Sequence, residues 1–110
     1  MERKEVLRRL GELESLRLAV ENIPLQLQCC QPSRRQRLKK ALAYAQLQVQ
    51  VMDNAMQVLT PEERLVIHRM CIAREKGAVP VLCQILQVEQ ASVYRRKERA
   101  LKKLAEAMGG

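Results

Sequence analysis

Residues 80–104 read PVLCQILQVEQASVYRRKERALKKL, and the fold class turns on this stretch. Leu82, Ile85 and Leu86 repeat at helical spacing behind Pro80, which can open a short helix. Gln87-Val88-Glu89 is a tight connection. A final helix runs from about Gln90 to Met108, with Val93, Ala100, Leu101 and Leu104 on its apolar stripe, and Gly109 and Gly110 end it. The first helix is short enough to pack across the second. The second buries one stripe and leaves its N-terminal residues free. Those are the requirements of a helix-turn-helix unit. Leu82, Leu86, Val88 and Val93 occupy its apolar positions, and Cys83 is small where the helices approach each other.

Upstream, Thr60-Pro61-Glu62-Glu63 is a complete helix start. Thr60 is the N-cap, Pro61 fits the first position, and Glu63 closes a capping box. Leu65, Val66, Ile67, Met70 and Cys71 form the apolar side of a short helix, and Gly77 marks its end. Before it, Leu38, Leu42, Ala45, Val49, Met52, Met56 and Leu59 alternate gaps of four and three, a heptad seam on a helix reaching Leu59. Ala41, Tyr44, Gln48, Val51, Ala55 and Val58 form a weaker second stripe. The first segment carries Val6, Leu10, Leu13, Leu16, Val20, Ile23 and Leu27 at similar spacing. Pro24 should kink or end that helix near Glu21 or Asn22. Cys29 to Ser33 reads as a connection broken by Pro32, with Ser33 and Gln36 forming a capping box for the next helix. Arg34, Arg35, Arg37, Lys39 and Lys40 then place positive charge at a helix N-terminus, against the macrodipole. A phosphate or acidic partner would relieve that cost; the plainer reading is a solvated basic face.

Composition agrees with an all-α chain. Among 110 residues there is no Phe or Trp, only two Tyr, and four each of Gly and Pro, too few for a turn-rich β protein. Leu, Met, Ala, Gln, Lys, Arg and Glu are good helix formers. Lys and Arg exceed Asp and Glu by 20 to 12, a net charge of +8 that suits a polyanion. No apolar run approaches the ~20 residues of a membrane span. Met1 to Glu5 is not followed by a signal-peptide core, so a cytoplasmic location without a membrane partner is expected. Cys29, Cys30, Cys71 and Cys83 form no Cys-x-x-Cys pair, and His68 is the single histidine, which argues against a zinc site. Adjacent Cys29 and Cys30 read as small apolar residues in a reducing compartment rather than a disulfide. His68 reads as a partly buried packing residue. No nucleophile motif or phosphate-binding glycine loop accompanies it, so neither an enzyme nor a cofactor is expected.

The run Val88 to Leu104, ending in Ala100-Leu101-Lys102-Lys103-Leu104, resembles the last helix of region 4 of bacterial sigma factors. Leu59-Thr60-Pro61-Glu62-Glu63-Arg64 is similar to the opening of that region. With two helices ahead of it, the layout resembles small phage and prophage regulators of the ArpU type, in which the implied role is control of late phage transcription in a bacterial host. The resemblance implies an N-terminal helical hairpin, residues 1–59, followed by a DNA-binding helix-turn-helix bundle, residues 60–110. Gln87 stands where the family commonly has Gly, and Glu89 where it has a Ser or Thr cap.

Carried over by position, Gln90, Ala91, Tyr94 and Arg95 fall where family members touch bases. Arg95 suits guanine O6 and N7, and Gln90 suits adenine. Arg96, Arg99 and Lys103 are placed for phosphates of double-stranded DNA. The competing readings are a module that binds RNA polymerase or a sigma factor, and a small terminase-like packaging subunit. The surplus apolar surface on the Leu38–Leu59 helix also predicts self-association through the N-terminal half, as a two-fold dimer. Light scattering at micromolar concentration should give twice the chain mass; a monomeric mass would refute the expectation.

Overall fold

Apolar side chains three and four residues apart wind the first half of the chain into two long helices, α1 (Arg3–Cys29) and α2 (Pro32–Met56). α3 (Pro61–Ile67) runs directly into a π-helical turn, His68–Ile72; α4 covers Ala78–Leu86 and α5 covers Gln90–Gly109. The computed structural model describes residues 1–109, and among them every regular element is helical. None of these helices is long and apolar enough to cross a membrane.

α1 passes through Pro24, so of the two expected outcomes, a kink or an end near Glu21 or Asn22, the end does not occur. Proline removes one backbone donor, which leaves the Val20 carbonyl without its usual partner. Packing on either side of the proline supplies the compensation. Ile23 is buried and Leu27 half-buried against α2, and the Arg35 guanidinium donates to the Leu27 carbonyl at 3.3 Å. α2 also starts earlier than the proposed Ser33 cap. Its N-cap is Gln31, which makes no side-chain capping bond, and Pro32 occupies the first turn. Pro32 therefore opens the helix, just as Pro61 opens α3. α2 stops at Met56, and Leu59 is buried in the loop that follows.

The Thr60 capping box is present in full, with Thr60 Oγ1 accepting from the Glu63 N–H at 3.2 Å and Glu63 Oε1 accepting from the Thr60 N–H at 2.9 Å. The segment after it departs from expectation. Val66 and Ile67 are buried, and the next buried pair is Cys71 and Ile72, five residues on. An α-helix repeats too fast for that spacing. The π turn absorbs the extra residue, with Ala73 N–H donating to the His68 carbonyl at 2.8 Å. His68 is left exposed on the outside of this turn, not half-buried as expected. The helix ends there rather than at Gly77, and the chain turns at Arg74 (φ 51°). Gly77 (φ 70°) instead precedes α4, which opens at Ala78, two residues before Pro80. Cys29 is exposed and Cys30 half-exposed, so neither serves as a core residue; all four cysteines are free.

Two apolar clusters result. The larger draws Val6, Leu10 and Leu13 from α1, Met52 and Ala55 from α2, Leu59, Ile67, Cys71 and Ile72, and closes with Ala100, Leu101 and Leu104 of α5. The smaller holds Val66, Ala78, Leu82 and Val93. Residues of α1 and α2 buried in the larger cluster stop at Leu13 and resume at Met52. Beyond that point the two helices cover each other alone, as an arm. The Cα radius of gyration is 16.7 Å and the longest extent 55 Å, whereas a compact domain of this length has a radius of gyration of about 13 Å. Leu18, Leu25, Tyr44 and Leu47 remain exposed along the arm.

Leu101 is 2% exposed and Leu104 fully buried, both against α1 and the α3 segment. Leu101→Ala should lower unfolding free energy by about 2–5 kcal/mol. Urea titration should show this as a lower midpoint with an unchanged slope.

Candidate nucleic-acid interface

The connection between α4 and α5 is built by backbone conformation. Gln87 takes a left-handed conformation (φ 54°, ψ 49°) at the end of α4. That geometry explains why Gly is favoured at such a position. Val88 N–H then bonds back to the Cys83 carbonyl at 3.2 Å, and Val88 tucks against the smaller cluster. The Glu89 carbonyl accepts from the Ser92 and Val93 N–H groups at 3.0 and 3.2 Å, which starts α5. Cys83 is half-buried and packs against the same cluster, as its small size suggests.

Val93 is fully buried against Val66, Ala78 and Leu82, and it fixes the rotation of α5. Gln90, Ala91, Tyr94 and Arg95 are all exposed around it, with Tyr94 at 43%. The four side chains assigned to base edges therefore share the free surface of the first two turns of α5. Arg99 is exposed as well, and among the described residues no carboxylate pairs with Arg95 or Arg99.

Arg96 and Lys103 differ. Arg96 Nε bonds Glu62 Oε2 at 3.2 Å, and its Nη1 bonds the Ser92 hydroxyl. Lys103 Nζ bonds Glu63 Oε1 at 2.8 Å. Glu62 and Glu63 come from the first turn of α3, 34 and 40 residues away in sequence, so no local pattern announces these pairs. Thr60, Pro61, Glu62, Glu63, Arg96, Arg99 and Lys103 line an open cleft of about 540 Å³. No family model, no curated protein and no solved structure matches this chain.

Glu63 ties the cleft together. Among the described residues it is the one buried charged side chain, 4% exposed, and its Oε2 has no hydrogen-bond partner. Burial pushes its pKa up. The bonds from the Lys103 ammonium and the Thr60 backbone outweigh burial and hold the carboxyl below its ordinary range. At the base of α1, Arg3 grips Glu98 of α5 through two bonds of 2.9 and 2.7 Å, which lowers the Glu98 pKa. Burial pushes the Cys71 thiol up, which suits a packing residue better than a nucleophile. Among the described residues, no group of His, Cys, Asp or Glu side chains is arranged to hold a metal ion.

The depressed Glu63 pKa gives a signed pH dependence. Its stabilisation is complete above the unfolded-state carboxylate pKa, about 4.3, and is lost as pH falls through the lower folded value. Glu63→Gln should therefore cost about 1 kcal/mol at neutral pH, a modest figure because Lys103 is partly solvated. The gap from wild type should narrow as pH falls below about 4.3. Thermal unfolding at pH 7 and pH 3 checks this; a gap of equal size at both would remove the charge from the explanation.

Proposed function

We propose that this chain is a DNA-binding transcriptional regulator that uses α4 and α5 as a helix-turn-helix to read promoter DNA. The observation that carries the reading is on α5. Buried Val93 points its first two turns outward, and Gln90, Ala91, Tyr94 and Arg95 are exposed there together on a basic chain. A three-residue connection and a nine-residue α4 agree with that use. The sigma region 4 resemblance adds the promoter and, with the α1–α2 hairpin ahead of it, a phage or prophage regulator of the ArpU type. A two-fold dimer through that hairpin would suit paired half-sites.

In this reading Gln90, Tyr94 and Arg95 meet base edges, and Ala91 allows close approach to the groove floor. Arg99 has no intramolecular carboxylate to leave and is the readiest phosphate ligand. Arg96 and Lys103 must first exchange Glu62 and Glu63 for phosphate, so each contributes less. A second reading, a module that binds RNA polymerase or a sigma factor, is favoured by one feature. Val81 and Ile85 are 39% and 49% exposed, one helical turn apart on α4.

Selection of bound duplexes from a random library should enrich one motif. Arg95→Ala should then lose about 1–3 kcal/mol on that motif and relax one base position. Arg99→Ala should weaken all sequences alike and reduce the salt slope of log K by about 0.9. If no motif emerges and both variants show the same uniform loss, α5 is an electrostatic patch, and the polymerase-binding reading takes its place.

A further inference from the structure

Positive charge is not spread evenly over this chain. Residues 22–52 contain Arg34, Arg35, Arg37, Lys39 and Lys40 and not one Asp or Glu, so five of the eight excess charges lie in this stretch. Along α1, by contrast, all the arginines meet anions: Arg3 pairs with Glu98, Arg8 with Glu5 and Glu12, Arg9 with Glu5, and Arg17 with Asp53. At the far end of the arm they do not. All five cations are exposed, and among the described residues none forms an ion pair. Arg35 donates to the Leu27 carbonyl, which leaves its charge uncompensated. The first turn of α2 has no acidic residue, and Gln31 provides no side-chain cap, so the positive end of the helix adds to the charge.

We propose that the distal end of the α1–α2 arm is a second phosphate-binding surface, which grips the DNA backbone away from the segment that α5 reads. This rests on the reading of α5 as a DNA reader. The arrangement of the cations selects the partner. At about 100° per residue, positions 34, 35, 37, 39 and 40 surround the helix end rather than forming one stripe. A duplex backbone offers phosphates in a repeating lattice and is engaged without regard to sequence. A protein partner or membrane surface calls for an apolar centre inside the charge. The apolar residue within the run, Leu38, is half-buried, and the exposed Leu25, Leu18, Tyr44 and Leu47 lie outside the run of cations, along the arm. The length of the molecule also fits. Its 55 Å long axis corresponds to about 16 base pairs at about 3.4 Å each. That length exceeds the footprint of one recognition helix, as a second contact on the same duplex requires.

The test uses the full chain and a variant combining Arg34→Gln, Arg37→Gln, Lys39→Gln and Lys40→Gln. Arg35 is kept because it holds the end of α1. All four positions are solvent-facing, and removing cations near a helix N-terminus relieves the macrodipole, so helicity and thermal midpoint should hold. If helicity falls, the Lys39→Gln/Lys40→Gln pair is read instead. On a duplex of about 30 base pairs, the four-site variant should bind at least tenfold more weakly, with a salt slope lower by roughly 2–4. On a duplex of about 12 base pairs it should match wild type, and its base preference should be unchanged. Equal binding on the long duplex overturns the proposal. So does an equal loss at both lengths. So does tighter, tip-dependent binding to polyglutamate or to phosphatidylserine vesicles than to DNA. The α5 reading fails separately, if Arg95→Ala leaves base preference intact while the tip-dependent slope persists. Absence of any duplex binding overturns both.

Discussion

α5 has two burial problems, and the structure is arranged around solving both on one rigid helix. Its early turns must dock Val93 against α4 and Val66, while its later turns must place Ala100, Leu101 and Leu104 against α1 and the α3 segment. A helix cannot rotate at one end only, so the two contacts fix each other. The residues left exposed between and opposite them are consequently held in a set direction. Fully burying side chains of this size is favourable by about 1.5–3 kcal/mol each, which far exceeds what a surface ion pair provides. Orientation of the exposed basic face is thus imposed from the apolar side.

Polar contacts refine that arrangement. Thr60, Glu63 and Lys103 link the start of α3 to the later turns of α5 through one buried carboxylate, while Arg3 and Glu98 link α1 to the middle of α5. Such bonds specify a unique fit between helices that apolar packing alone would allow to slide. They also divide the cations of α5 into two kinds. Arg96 and Lys103 are already engaged within the molecule, and Arg95 and Arg99 are not.

What could be read in the sequence followed the range of the interaction. The Thr60 cap, the period around Val93 and the three-residue link at Gln87 are local, and each is present in the structure. Pro24 does not end α1, because Ile23 and Leu27 pack on α2, a contact with residues distant in sequence. Ser33 looked like a cap because it is a good one in isolation, yet Pro32 just before it already satisfies the first turn. The π turn leaves no mark in a regular helical period, because the spacing from Val66 to Cys71 breaks the single repeat length. For the candidate site, exposure of Gln90, Ala91, Tyr94 and Arg95 follows from the stripe containing Val93. The carboxylate partners of Arg96 and Lys103 do not, since they arrive from another helix.

The larger cluster joins Val6, Leu10 and Leu13 to Ala100, Leu101 and Leu104, side chains separated by almost the whole chain. During translation, the apolar face of α1 emerges about ninety residues before its last partners. At about 5–20 residues per second, that delay is several seconds or more. α1 and α2 can pair in the meantime, because a two-residue link joins them. The base of the arm, however, stays uncovered until α5 is made. The nascent chain therefore exposes a half-finished apolar surface throughout that delay, and that interval is when a chaperone or a second nascent copy has access to it.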